Sequence, residues 1–143
     1  MKIQYSYLKS FLNTNLSQKK LTDIFTQVGF ECEMEGDIIV FDITPNRGDV
    51  LSLNGLKREF YAYQAIRANS KLETIKLHAV NDKKIINKID HTACGNYHLM
   101  LVEGLKKIKN LDIKKRTFIE SAGIPLINPL VDLGNYVMLE IGA

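Results

Sequence analysis

The sequence predicts an α+β fold, and three features of its first 66 residues indicate this class. Two helical patterns of apolar residues come first, two strand-like runs follow across a short turn, and a third helical pattern closes the segment. With 143 residues, of which 45% are hydrophobic, the chain can build a packed core in one or two domains.

The first two predicted helices lie before residue 30. The stretch SYLKSFL, residues 6–12, predicts a short helix with Ser6 at its cap. The second helix is bounded by Ser17 as N-cap and Gly29 as its end, because the apolar residues between them recur at i, i+3, i+4 and i+7. Each helix therefore has one apolar face that must pack on another element.

A hairpin and a third helix complete the first segment. Strands at 30–34 and 38–43 are expected to pair, since only Glu35-Gly36-Asp37 separates them. The third helix is expected to bury one stripe of side chains: Leu53, Leu56, Phe60 and Tyr63. The order helix, helix, hairpin, helix predicts a small winged-helix-like domain over residues 1–66.

The stretch TPNRGD, between the second strand and the third helix, predicts a sharp corner. Pro45 keeps Thr44 extended and removes a backbone donor, and Asn46 and Gly48 tolerate turn dihedral angles. These residue types end a strand and redirect the chain.

The charged residues of the corner have predicted structural roles. Asp49 is expected to cap a helix that begins at Val50. Arg47 is close in sequence to Asp42 and Asp49, and we expect it to brace the corner through a bidentate ion pair with a carboxylate. The sequence therefore predicts a structural motif, not a catalytic one, at Thr44, Pro45, Asn46, Arg47 and Asp49.

Residues 67–73 predict a polar linker, and residues 74–143 a second domain. In it, ETIKLHAV and YHLMLVEGL predict strands. The stretch LDIKKRTFIESAG predicts an amphipathic helix whose apolar face is formed by Leu111, Ile113, Thr117, Phe118 and Ser121.

The last segment, VDLGNYVMLEIGA, predicts a helix that is apolar around most of its circumference. Val131, Tyr136, Val137 and Leu139 are expected to pack in a core. Because the sequence stops at Ala143, we expect an exposed apolar surface, and hence either self-association or a need for a missing remainder of the polypeptide.

The net charge is +3, and the basic residues fall into two groups. The first group is Lys83, Lys84 and Lys88. The second is Lys106, Lys107, Lys109, Lys114, Lys115 and Arg116. Two interpretations stay open: a solvated face, which the lack of interleaved aromatic residues favours, or contacts to the phosphates of tRNA.

No catalytic residue, metal site or cofactor site is predicted. His91, Cys94 and His98 are the densest group of metal-ligating residues, but a zinc site would need Cys32 or His78 as a distant fourth ligand. No serine adjoins a histidine, and no glycine-rich phosphate loop occurs.

The expected compartment is the cytoplasm. Two cysteines are too few for a disulfide framework, and the N-terminus MKIQYSYLKS lacks the apolar stretch of a secretory signal. No apolar run approaches the length of a membrane span.

Two separated stretches resemble one family, the phenylalanyl-tRNA synthetase β chains. FDITPNRGDVLSLNGLKREFYAY resembles the strand, Thr-Pro-Asn-Arg-x-Asp corner and helix of the first domain, and YSYLKSFLN and VGFECEME are similar to its start. Downstream, YHLMLVEGLK and FIESAGIPLINPLVDLGNYVMLEIG resemble the front part of the editing domain.

The resemblance implies a partner and a division of labour. In that family the β chain pairs with a catalytic α chain in an α2β2 assembly that joins phenylalanine to tRNA with ATP and magnesium. By resemblance, the catalytic site and these cofactors belong to the whole enzyme. Residues 74–143 would be a truncated α/β editing-type domain of the B3/B4 kind, with most of its pocket beyond residue 143.

The chain also departs from the family pattern. Only Glu35-Gly36-Asp37 stands where bacterial β chains usually carry an inserted OB-fold domain. Pro125, Pro129 and Gly134 replace residues that are more often polar or helix-compatible, and Ala143 replaces a Gln.

Three functions follow from these observations, in order of preference. The first is a structural and assembly part of the ligase β subunit. The second is a small tRNA-binding module, suggested by the winged-helix-like order and the basic groups. The third is a hydrolase of mischarged tRNA, for which the sequence offers no complete pocket.

Overall fold

The computed structural model describes residues 1–65, 92–93, 102–105 and 107–142. The chain divides into two compact units, one formed by residues 1–69 and 109–143 and the other by residues 70–108. All helices and strands among the described residues lie in the first unit, which we call the main unit. It combines helices with a small antiparallel sheet, and this confirms the predicted α+β class.

The sheet has three strands, β1 (Lys2–Gln4), β2 (Glu31–Glu35) and β3 (Ile38–Asp42), in the order β1-β3-β2. Both pairings are antiparallel, with Ile3 opposite Ile39 and Cys32 opposite Phe41. Gly36 takes a φ of 61° in the turn between β2 and β3, a conformation that suits glycine. The predicted hairpin is confirmed, and β1 is an additional edge strand that the sequence pattern did not reveal.

Helix α1 spans Tyr5–Phe11 and helix α2 spans Gln18–Val28. The predicted Ser6 cap is wrong, because α1 follows directly from β1 with Gln4 at the cap position and no side-chain cap bond. The predicted ends of α2 are confirmed: the Ser17 side chain accepts a hydrogen bond from the Lys20 amide, and Gly29 closes the helix at φ 106°.

Helix α3 spans Leu53–Tyr63 and begins later than predicted. Residues Pro45–Val50 form a 3₁₀ segment instead of a first helical turn, so the cap is Ser52, whose side chain accepts from the Gly55 amide. Asp49 is therefore not the cap. Tyr63, predicted to be buried, is 48% exposed and donates a hydrogen bond from its hydroxyl to Gln27 Oε1 at 2.6 Å.

Helices α4 (Ile113–Ser121) and α5 (Pro129–Ile141) belong to the main unit. The predicted division placed residues 74–143 in a second domain, whereas these two helices join the core of residues 1–69. The Phe118 ring stacks on Tyr7 of α1 with 4.4 Å between ring centroids. The N-terminal half of the chain therefore supplies much of the apolar surface that covers α4 and α5.

The buried faces of α4 and α5 differ in part from the predicted ones. Phe118 is buried as expected. Its neighbour Ile119 is also buried, whereas Ile113, which was expected on the apolar face of α4, is 71% exposed. On α5, Leu139 is buried, and the predicted core residues Val131 and Val137 are exposed. An almost entirely apolar helix does not reveal by its own sequence which side faces the core.

Several predicted features lie outside the described residues. These are the linker at 67–73, the strand ETIKLHAV, the first basic group and most of the strand YHLMLVEGL. The last four residues of that second stretch, 102–105, are described and are not in a strand. None of the helices in the described ranges is both long and apolar enough to cross a bilayer.

Replacing Gly55 by Ala should destabilise the main unit by about 2 kcal/mol, as overpacking of fixed atoms does. A Cβ at Gly55 would lie 2.3 Å from the Asp49 carbonyl oxygen and 2.7 Å from Val50 Cα, and these backbone atoms cannot rotate away. Urea unfolding followed by circular dichroism measures the change.

Gly48→Ala is the matched control, because a Cβ there meets nothing within 4 Å. Equal stability of the Gly55→Ala and wild-type chains would contradict the close approach of the 3₁₀ segment to α3.

Candidate functional site

The corner after β3 holds a network of four charged side chains, which we call the corner network: Arg47, Asp49, Arg58 and Glu59. Arg47 makes a two-pronged contact with Asp49, with Nε to Oδ1 at 3.0 Å and Nη2 to Oδ2 at 3.2 Å. Its Nη2 also donates to Glu59 Oε1 at 2.9 Å. Arg58 donates to both Asp49 and Glu59.

The position of Arg47 follows from the backbone of the 3₁₀ segment. Thr44 is extended before Pro45, and the Arg47 amide donates to the Thr44 carbonyl at 2.9 Å. The Arg47 guanidinium also lies over the Phe30 ring, 5.2 Å from its centroid. Backbone, aromatic ring and two carboxylates together fix the orientation of this side chain.

The structure brings Arg47 and Asp49 together and adds partners that sequence reasoning did not name. Asp42 is not the partner of Arg47 in the described contacts. Glu59 and Arg58 reach the corner from α3. Local spacing identifies the Arg47–Asp49 pair, but the Glu59 contact spans 12 residues and depends on the turn between them.

The network is electrically balanced, and it lies at the surface. Two guanidinium groups face two carboxylates, and the hydrogen bond from Arg47, followed by the attraction of both arginines, lowers the pKa of Asp49 below its ordinary value. A neutralised, mutually paired group of this kind orients elements and leaves little net charge for a ligand. Its chemistry suits a structural brace.

The second basic group is not a single patch. Lys106 lies outside the described residues, and Lys107 belongs to the unit of residues 70–108. In the main unit, Lys109 and Lys114 are exposed.

Two further members of that group are engaged or partly buried. Lys115 forms an ion pair with Asp112 at 3.0 Å and lies over the Tyr136 ring. Arg116 is half-buried, and its Nε has no hydrogen-bond partner in the described part of the chain. Among the group's cations in the main unit, Lys109 and Lys114 are therefore exposed, whereas Lys115 is ion-paired and Arg116 is half-buried.

A cleft of about 510 Å³ lies between α1 and the start of α4. The residues that line it include Lys114, Ser6, Ser10, Thr117 and Tyr7. A lysine that lines a cleft together with serine and threonine residues is chemically suited to a phosphate or carboxylate group.

Three serines of the main unit, which the sequence does not place beside a histidine, have other partners or positions. Ser52 accepts from the Gly55 amide, Ser121 donates to the Phe118 carbonyl, and Ser10 lines the cleft. Burial raises the pKa of the Cys32 thiol to about 12, so this cysteine stays protonated at neutral pH.

The proposed zinc ligands other than Cys32 lie outside the described residues: His78, His91, Cys94 and His98. Among the residues that the structure describes, no three side chains of the metal-ligating types come together.

A hydroxyl pair links the first and last helices of the main unit. Tyr7 and Tyr136 have their hydroxyl oxygens 3.3 Å apart, and Phe118 packs against both rings. Burial is the main cause of the raised pKa of each phenol, so both remain neutral and hydrogen-bonded. This cluster holds α5 to α1 through a contact between two residues that are 129 positions apart in the sequence.

Comparison with known proteins places the chain in one class, the aminoacyl-tRNA synthetases. It is 34% identical over 113 residues, 76% of its length, to the phenylalanine--tRNA ligase beta subunit of Pseudoalteromonas translucida strain TAC 125, and 39% identical over 106 residues, 73% of its length, to that of Aquifex aeolicus strain VF5. The Rhodopirellula baltica protein of the same name is 28% identical over 99% of the chain.

The chain belongs to the phenylalanine--tRNA ligase beta-subunit family, which confirms the resemblance. It spans 14%, 13% and 22% of the lengths of the three relatives just described. No protein-family profile matches the chain, and no solved structure matches it.

Replacing Asp49 by Asn should lower the thermal midpoint near pH 7 and have no effect in strong acid. The folded-state pKa of Asp49 is depressed, so its stabilisation is present above the unfolded pKa of about 3.9 and is lost as pH falls through the lower folded value. Thermal denaturation of both chains between about pH 1.5 and pH 7 measures the difference.

Asp23→Asn on α2 is the control, because the Asp23 side chain is exposed and lies on a different element from the corner network. A difference between Asp49→Asn and wild type that does not change with pH would show that the Arg47–Asp49 charge interaction is not its source.

Proposed function

We propose that the chain is a structural and assembly part of a phenylalanine--tRNA ligase beta subunit that takes part in phenylalanyl-tRNA synthesis in the cytoplasm. The observation that carries the proposal is the match to beta subunits, which covers most of this chain and a small part of the length of each beta subunit. In this proposal the catalytic site, with ATP and magnesium, lies on a separate α subunit.

The geometry of the main unit supports a scaffold role. The corner network satisfies its own charges and braces the entry to α3. Its helix order with a three-stranded sheet suits a winged-helix-like unit. By this proposal α4 and α5 are the front of an editing-type domain that has packed on the first unit through Phe118 and Tyr136.

Depletion of the polypeptide that carries this sequence should lower phenylalanyl-tRNA in the source cells. We expect the aminoacylated fraction of the phenylalanine-accepting tRNA to fall several-fold, while the tyrosine-accepting tRNA stays charged. Acid gel electrophoresis with tRNA-specific probes measures both.

The same cells allow a direct test of assembly. An affinity-tagged copy of the polypeptide should recover the ligase α subunit, identified by mass spectrometry. Unchanged charging of both tRNAs on depletion would overturn the proposed function.

A second candidate is contact with the phosphates of tRNA, and the cleft beside Lys114 is the observation that favours it. Lys114 and Lys109 are the exposed cations of the main unit near this position in sequence. Few phosphate contacts imply a weak interaction that salt removes easily.

If the second candidate holds, the chain binds tRNA at low salt and Lys114→Ala reduces the slope of log affinity against log salt by about 1. Fluorescence anisotropy with labelled tRNA at several salt concentrations measures this. Lys19→Ala on α2 is the control, because Lys19 is exposed and remote in sequence. Equal slopes for wild type and Lys114→Ala would exclude this cleft as the phosphate site.

A further inference from the structure

The cleft between α1 and the start of α4 brings together residue types that are separated in the sequence. Residues 106–116, which contain the second basic group, include no aromatic residue, and such a composition favours a solvated face. In the fold, Lys114 of that group lines the cleft together with Tyr7 and Phe11 of α1. A cation and two half-buried aromatic residues thus border one cavity, the combination that single-stranded nucleic acids bind.

The packing of the main unit explains little about Ile113, another lining residue of the cleft. It is the first residue of α4, and its exposed fraction is the highest among the large apolar side chains of the described ranges. An apolar side chain stabilises a fold when it leaves water, so Ile113 contributes little to the core. A ligand with an apolar surface would cover it.

Lys114 stands where the helix dipole disfavours a cation. The first turn of α4 has no acidic residue, and Lys114, Lys115 and Arg116 follow one another there. Cations are unfavourable at the positive end of a helix dipole. The Asp112 cap, which also pairs with Lys115, offsets part of this positive charge, and an anion beside the exposed Lys114 would offset more.

The other lining residues are polar and uncharged: Gln4, Ser6, Ser10 and Thr117. Gln4 occupies the N-cap position of α1, but its side chain makes no capping hydrogen bond. The Ser6 hydroxyl donates to the Asp37 carboxylate at 3.4 Å, so a negative charge lies near the α1 side of the cleft. One lysine with a carboxylate nearby suits a phosphodiester, with one negative charge, better than a terminal phosphate with about two.

We propose that the cleft binds one unpaired nucleotide of a single-stranded RNA. The phosphodiester lies beside Lys114, and the base packs against the aromatic and apolar lining residues. The cleft volume of about 510 Å³ is within the range of roughly 300–1,000 Å³ that small-ligand sites have. Duplex RNA keeps its bases paired and stacked, so it offers no base to this cleft. The inference deepens the second candidate function and rests on its phosphate contact.

Fluorescence anisotropy at low salt tests the preference for an unpaired base. The probe is a labelled RNA single strand of about eight nucleotides without self-complementary sequence. We expect it to bind at least about five-fold tighter than a duplex of the same length, and an abasic strand to bind as weakly as the duplex. Equal affinity for the single strand and the duplex would overturn the base site, although the phosphate contact of the second candidate would stand.

Two substitutions separate the base contact from the phosphate contact. Ile113→Ala should weaken single-strand binding about five-fold and leave the salt dependence unchanged, whereas Lys114→Ala should reduce the slope of log affinity against log salt by about 0.7. Both side chains are exposed, so the thermal midpoint should not change. Met34→Ala and Lys19→Ala are the matched controls, since both residues are exposed and lie on other elements. Wild-type affinity and slope in both cleft variants would overturn the proposal.

A free nucleotide distinguishes RNA from a small molecule of the same chemistry. Uridine monophosphate should displace the labelled strand only at concentrations far above those of the unlabelled strand, because it lacks the phosphodiester. Displacement at equal or lower concentrations would make the cleft a mononucleotide site and overturn the RNA proposal. None of these outcomes changes what is expected for tRNA charging or α-subunit recovery, which test the assembly role.

Discussion

The close approach of two backbones at the corner is the constraint on which the main unit depends. Gly55, in the first turn of α3, leaves room for the Asp49 carbonyl of the 3₁₀ segment, and a side chain there would collide with it. The approach sets the direction in which α3 leaves the sheet. Ser52 caps α3 at this point, and Gly142 at the end of α5 lies against the same serine.

The same geometry explains why the last two helices join the first 69 residues. The end of α5 meets the start of α3, so the partial negative charge of one helix terminus faces the partial positive charge of another. At the opposite end, Phe118 lies between the rings of Tyr7 and Tyr136. Contacts between residues that are far apart in sequence, and not the boundary of a linker, therefore define this core.

Features controlled by neighbouring residues could be predicted from the sequence, and features controlled by packing could not. The Ser17 cap, the Gly29 end and the turn between β2 and β3 each depend on a few adjacent residues. The start of α3 is different, since Asp49 and Ser52 are both good caps and the contact at Gly55 decides between them. The exposure of Val137 could not be predicted, because every face of α5 is apolar in sequence.

The same distinction, between features set by neighbouring residues and features set by packing, holds for the candidate site. Arg47 and Asp49 are two residues apart, and their pairing follows from that spacing, but Glu59 reaches Arg47 only because the 3₁₀ segment folds back on α3. The second basic group is continuous in sequence but does not form one exposed patch. Lys115 pairs with Asp112, and Arg116 is half-buried. Nearness in sequence did not make these residues a single surface.

The main unit combines paired charges at the corner network with exposed apolar side chains on α5. Binding to a phosphate backbone draws its free energy from cations that are not already neutralised. The arginines of the corner network face carboxylates, and Lys115 faces Asp112. Helix α5, in contrast, exposes apolar side chains such as Leu130, Leu133 and Ile141, and removing that surface from water is favourable whatever the salt concentration. The paired charges of the main unit therefore add little to phosphate binding, and any such binding would depend on exposed cations such as Lys109 and Lys114.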